Sequence, residues 1–157
     1  MSILNAYDVV RFAIRIEEDG KEFYREAARM AANEDAKALF LRLADEEVGH
    51  KKIFDEMAQG LGDYAPAETY PGEYVAYLRD YIDGKVIFRK DMGNAVSLMA
   101  TVLLAIDFAL QRELDSILYY QEMRAFVPER HFPTIDAIIA EERKHFAILS
   151  EARKRNL

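Results

Sequence analysis

The stretch "EEVGH" at residues 46–50 sets Glu47 and His50 three positions apart, and "EERKH" at 141–145 repeats the spacing with Glu142 and His145. Residues three apart share one side of a helix. Around the first pair, Phe40, Leu43, Phe54 and Met57 continue the same spacing of threes and fours, so an apolar stripe runs through Glu47 and His50. Around the second, Ile135, Ile138, Leu149 and Ala152 do the same. Periodicity thus assigns two charged Glu-x-x-His units to faces that should be buried.

Two more stripes carry a charge near their middle. One reads Val10, Ala13, Glu17, Gly20, Tyr24, Ala27; the other reads Leu103, Ile106, Leu110, Glu113, Ile117, Tyr120. Helices are therefore expected over about 6–31, 35–59 and 95–126, with a fourth starting between Pro128 and Pro133 and running to about 154. Asn33 suits the N-cap of the second helix and Gly60 its stop. Gly and Pro concentrate between 60 and 93, which marks a long connection, and "GEYVAYLRDYI" within it predicts a short extra helix. The fold class expected is all-α: one domain over 1–157, a four-helix bundle with a long crossover between its second and third helices.

The halves are repeats. Aligned without gaps, 11–27 and 107–123 agree at six of 17 positions, pairing Glu17 with Glu113 and Tyr24 with Tyr120. The offset is 96 there and 95 for the Glu-x-x-His units. Hairpins of about 6–59 and 95–154, joined by 60–94, are read as a duplication.

At 1.5 Å per residue, Glu17 and Glu47 each lie roughly 20 Å from the turn between their helices, so they face each other at one level. The same reasoning sets Glu113 opposite Glu142 and adds His50 and His145. Face-to-face packing of the hairpins then gathers six side chains at mid-bundle. Four carboxylates buried in an apolar interior would each cost several kcal/mol. Two divalent cations neutralise them, with one imidazole nitrogen for each. The expected metal ligands are Glu17, Glu47, His50, Glu113, Glu142 and His145. Neighbouring Glu18, Glu46 and Glu141 lie about 100° round their helices and are expected to be solvated. Tyr24 and Tyr120 follow their Glu by seven residues; their hydroxyls either orient the carboxylates or belong to core filler. Gly20 and Ser116 are small either to leave room for metals or to let helices pack closely.

Composition narrows the function. The chain has 157 residues, no cysteine and a net charge of −7. Disulfides, thiolate catalysis and sulfur-held iron are excluded, and acidic charge argues against nucleic acid. No apolar run approaches the roughly 20 residues that span a bilayer, and no leader opens the chain, so a cytoplasmic protein without membrane contact is expected. Tyr64, Tyr70, Tyr74, Tyr77, Tyr81 and Phe88 crowd the connection with aromatic rings suited either to an interface, as in the homodimer expected, or to packing across the bundle's own open end.

The strings "IEEDGKEFY", "ADEEVGH", "RELDSILYY" and "AEERKH" resemble the four ligand helices of rubrerythrin-like proteins in the ferritin-like superfamily, and the resemblance covers nearly the whole chain. It implies two iron ions, with Glu17 and Glu113 as terminal carboxylates, Glu47 and Glu142 as bridging ones and His50 and His145 as nitrogen ligands. Two departures stand out: there is no cysteine for a rubredoxin-type iron site, and neither Leu110 nor Ser116 supplies an extra carboxylate beside Glu113. Electrons would therefore come from an external donor. The activity expected is reduction of peroxide or dioxygen. The alternative is a non-catalytic metal-binding or iron-handling protein, since the same ligands suit manganese and zinc.

Overall fold

The computed structural model describes residues 5–62, 64, 76, 80 and 101–155. Helix α1 spans Ala6–Met30, α2 Glu34–Leu61, α3 Val102–Met123 and α4 Phe132–Lys154. Two single 3₁₀ turns, Arg124–Phe126 and Glu129–His131, join α3 to α4. α1 packs along α2 and α3 along α4, and the two hairpins meet through α1 with α3 and α2 with α4. The architecture is an all-α four-helix bundle.

Local chemistry sets the helix ends. Asn5 caps α1 in a reciprocal box: its Oδ1 accepts from the Asp8 amide at 2.8 Å, and Asp8 accepts from the Asn5 amide at 3.3 Å. Asn33 caps α2 as expected, accepting from the amides of Asp35 and Ala36 at 2.8 and 3.1 Å. α2 runs through Gly60 and stops instead at Gly62, whose φ of 54° is a conformation that glycine adopts without steric cost. The third helix begins at Val102, seven residues later than expected. Thr101 is extended there (φ −147°, ψ 154°), and its hydroxyl accepts the Leu104 amide at 3.2 Å. It also ends earlier, at Met123, where the chain tightens into the first 3₁₀ turn. Most of the connection, including the aromatic residues other than Tyr64, lies outside the described residues; within the predicted extra helix, Ala76 and Asp80 are described and helical.

Every residue of the stripes read on α1, α2 and α4 is buried. On α3 the buried face is rotated. Ala105, Ile106, Ala109, Arg112, Glu113, Ser116, Tyr119 and Tyr120 face inward, while Leu103 is exposed and Leu110 and Ile117 only half-buried. Small side chains at 105, 109 and 116 provide the room for close packing, whereas the stripe expectation favoured the larger Leu and Ile.

The core comes in two blocks. One contains Val10, Ala13, Phe54, Met57, Tyr120, Met123 and Ile138; the other contains Phe23, Tyr24, Phe40, Leu43, Ile106 and Leu149. Each draws on all four helices, and the charged layer lies between them. Two apolar plugs therefore seal the middle of the bundle from both ends.

Candidate metal centre

All six expected ligands meet in that layer and are 1–3% exposed. Their donor atoms form two groups, Glu17 with Glu47, His50 and Glu142, and Glu47 with Glu113, Glu142 and His145; within each group the atoms lie no more than 4.8 Å apart. Glu47 and Glu142 belong to both. His50 Nδ1 stands 2.8 Å from Glu142 Oε1, 3.4 Å from Glu47 Oε2 and 3.7 Å from Glu17 Oε2. His145 Nδ1 stands 3.2 Å from Glu142 Oε2 and 3.6 Å from Glu113 Oε2. Antiparallel packing of each hairpin sets these levels, and the i, i+3 spacing turns each His toward its own Glu.

The fit to metal is visible in what these atoms fail to do. Glu47 Oε2, His50 Nδ1, Glu113 Oε2, Glu142 Oε1 and His145 Nδ1 are sealed from solvent and make no hydrogen bond, despite short separations between some of them. Buried polar atoms in native proteins are nearly always satisfied, so five orphans aimed at one small volume form a donor set. Carboxylate oxygens and imidazole nitrogens suit divalent iron, manganese or zinc.

Protonation in the metal-free protein shows the same frustration. Burial, then the charge of Glu142, pushes Glu113 up to about 8, and burial with Glu17 drives Glu47 well above the ordinary carboxylate range. Burial and Glu47 also act to raise Glu142, but the close approach of Glu113, His145 and His50 outweighs them and brings it below its usual value. Burial alone would depress both histidines. Glu113 and Glu142 instead raise His145 to about 11, and Glu142, Glu17 and Glu47 raise His50 as well. Without metal, the cluster holds protons as its counter-ions.

The ligands are held from across the bundle. Tyr24 on α1 donates to Glu113 on α3, and Tyr120 on α3 donates to Glu17 on α1, so each hydroxyl orients the other hairpin's carboxylate. The hydroxyls thus bond two of the expected ligand carboxylates, and the rings also belong to the core blocks. Glu46 and Glu141 keep contact with solvent as expected, but each also reaches a ligand histidine, which the expectation did not include. His145 Nε2 lies 2.5 Å from Glu46 Oε2, and His50 Nε2 lies 2.7 Å from Glu141 Oε2. An angle of 100° from the ligand face still points at the neighbouring helix where α2 and α4 run close together. These carboxylates fix the outer ring nitrogens and remain 34% and 50% exposed, so they link the site to solvent. Glu18 behaves as expected, pairing with Lys21 near the surface at 2.5 Å.

Arg112 escaped the sequence reading. It is 3% exposed, and its Nη2 donates to the Ile16 carbonyl at 3.1 Å. Its signal was present in the repeat alignment, where Arg112 falls opposite the core residue Ile16. Gly20 is small for this guanidinium as well as for the site: a Cβ there would lie 2.6 Å from Arg112 Nη2 and 3.1 Å from Glu47 Oε1.

Comparison with known proteins agrees with the geometry. The chain is 29% identical to a Thermotoga maritima protein whose crystal structure is described as that of a candidate ferritin-like diiron-carboxylate protein; the match has a TM-score of 0.68 and covers 100% of this chain and 99% of that one. No curated protein matches the sequence. The family model described as Rubrerythrin matches residues 8–153, which takes in nearly all of the four helices and every residue of the buried cluster, and the chain belongs to the rubrerythrin family.

Proposed function

We propose that the buried layer holds two iron ions and that the protein is an oxidoreductase reducing peroxide or dioxygen with electrons from an external donor. The observation that carries this reading is the set of five sealed, unbonded donor atoms shared between two overlapping ligand groups. Glu17 and His50 would hold one ion, Glu113 and His145 the other, and Glu47 and Glu142 both. Iron, when bound, supplies the two electrons such a reduction consumes.

The protein's part is placement and exclusion. The apolar plugs keep bulk water from the layer, which strengthens every charge interaction inside it. Tyr24 and Tyr120 hold the carboxylates of Glu113 and Glu17 in orientation from opposite hairpins. Each histidine keeps its Nδ1 toward the cluster because its Nε2 is occupied by Glu141 or Glu46. Those two glutamates reach the surface, where protons needed to complete the reduction can enter. With no cysteine in the chain, re-reduction falls to a separate donor.

The test is stopped-flow mixing of anaerobic ferrous-loaded protein with hydrogen peroxide. Oxidation much faster than that of free ferrous ion is expected; a rate no faster than free ion would refute the proposal. The same donor set supports a second reading, a redox-silent metal-binding protein. Zinc at full occupancy in protein isolated from its native cells would favour it.

A further inference from the structure

Among the described residues, Arg112 is the one lysine or arginine that is buried, at 3% exposed. A single hydrogen bond holds it, from Nη2 to the Ile16 carbonyl at 3.1 Å, while Nε and Nη1 are sealed from solvent without a hydrogen bond. A guanidinium buried with two unsatisfied nitrogens costs stability, so a nearby attraction must offset that cost.

The attraction is at hand in the ligand layer. A Cβ on Gly20 would lie 2.6 Å from Arg112 Nη2 and 3.1 Å from Glu47 Oε1, so the cation and this carboxylate flank the same bare α-carbon. Glu47 is one of the two residues that belong to both ligand groups. The carbonyl that Nη2 bonds belongs to the residue before Glu17, and Glu113 follows Arg112 on α3. Three of the four ligand carboxylates thus lie beside the guanidinium in space or along the chain. Asp19 on α1 also feels its charge, but it is only half-buried, and solvent screens it more than the sealed layer. The repeat offers no second cation, since Ile16 stands opposite Arg112.

Such a charge acts oppositely on the two states of the layer. When empty, the layer gathers carboxylates that a guanidinium attracts. When two divalent ions already balance those carboxylates, the guanidinium repels the ions. We propose that Arg112 is a resident counter-ion of the ligand layer: it stabilises the layer when empty and, by the same charge, lowers its affinity for divalent metal. This rests on the metal-centre reading above. The consequence is a chain that folds before it is loaded and takes up metal afterwards. A guanidinium stays protonated at any working pH, so the effect is permanent. In an interior that screens poorly, one unit charge several ångströms from a divalent ion changes its affinity by roughly tenfold or more.

Two measurements on the full chain at pH 7 test this: urea denaturation in the presence of chelator, and Zn²⁺ affinity by competition with a chromophoric chelator. Arg112→Met, which keeps an aliphatic stem without charge, should unfold at a lower urea concentration without metal yet bind Zn²⁺ roughly tenfold or more tightly. Lost packing alone would not tighten binding, so the opposed signs identify the charge. Arg112→Lys should stay close to wild type in both measurements. Arg112→Gln serves as a second neutral variant, and a neutral variant that folds only once Zn²⁺ is added gives the same answer. A neutral variant at least as stable as wild type without metal, or one that binds Zn²⁺ no more tightly, overturns the proposal. So does a lysine variant that behaves like the methionine one, or failure of both neutral variants to fold in saturating Zn²⁺. If the wild type binds no Zn²⁺, the metal-centre reading itself fails, and the proposal with it.

Discussion

Replacing Glu113 with Gln should stabilise the metal-free protein and weaken the metal-loaded one. In the metal-free fold Glu113 is raised from 4.5 to about 8 by burial and by Glu142, so at pH 7 it is mostly neutral. Gln mimics that neutral form, and its amide oxygen can accept the Tyr24 hydroxyl that Glu113 accepts. The difference between the proteins lies in the unfolded chain, where Glu113 ionises and Gln does not. Between pH 4.5 and about 8 the folded state binds a proton that the unfolded state lacks, so wild-type stability falls as pH rises through that window. At about 1.4 kcal/mol per pH unit, accumulated from 4.5 to 7, the penalty at pH 7 is about 3 kcal/mol. The variant escapes it, which for a chain of this size raises its melting temperature by about 6–12 °C at pH 7 and hardly at all near pH 4.5. Thermal melts followed by circular dichroism in the presence of chelator, at pH 5, 6 and 7, measure the effect. With excess Zn²⁺ the order should reverse, because the variant lacks one donor and gains less from binding. A variant no more stable than wild type at pH 7 without metal, or an advantage that does not change with pH, would refute the reasoning.

Metal uptake should itself depend on pH. Since Glu113 titrates at about 8 and His145 at about 11 in the metal-free protein, binding at neutral pH must release both protons, and apparent affinity should climb at least about tenfold per unit below pH 8. Zn²⁺ competition against a chromophoric chelator at pH 6, 7 and 8 checks this, and a flat profile would count against it. Gly20→Ala should cost about 1 kcal/mol in chemical denaturation, the balance of roughly 1–3 kcal/mol of overpacking against Arg112 and about 1 kcal/mol of better helix propensity. The loss should disappear in an Arg112→Met background, where the crowding atom is gone; a loss that persists there would show that the clash lies elsewhere.

The parts of this protein that were legible in advance are those encoded by spacing along one helix. Glu47 with His50 and Glu142 with His145 share a face because three residues make almost one turn, and the apolar positions around them say that this face is inward. The repeat then supplied Glu17 and Glu113, along with the paired tyrosines. Such inferences need only the period of a helix and the cost of burying charge.

What the tertiary structure decided concerns pairs of residues on different helices. That Glu46 reaches His145 and Glu141 reaches His50 depends on how closely α2 and α4 approach, which no single-helix pattern encodes. The rotated face of α3 buries the small Ala105, Ala109 and Ser116 where Leu103 and Leu110 had been expected, and Arg112 is buried because Gly20, on another helix, leaves the room. Local sequence therefore determined which side chains point inward at the metal layer. Only packing determined which neighbours hold them there, because contact between helices depends on the volumes of both partners at once.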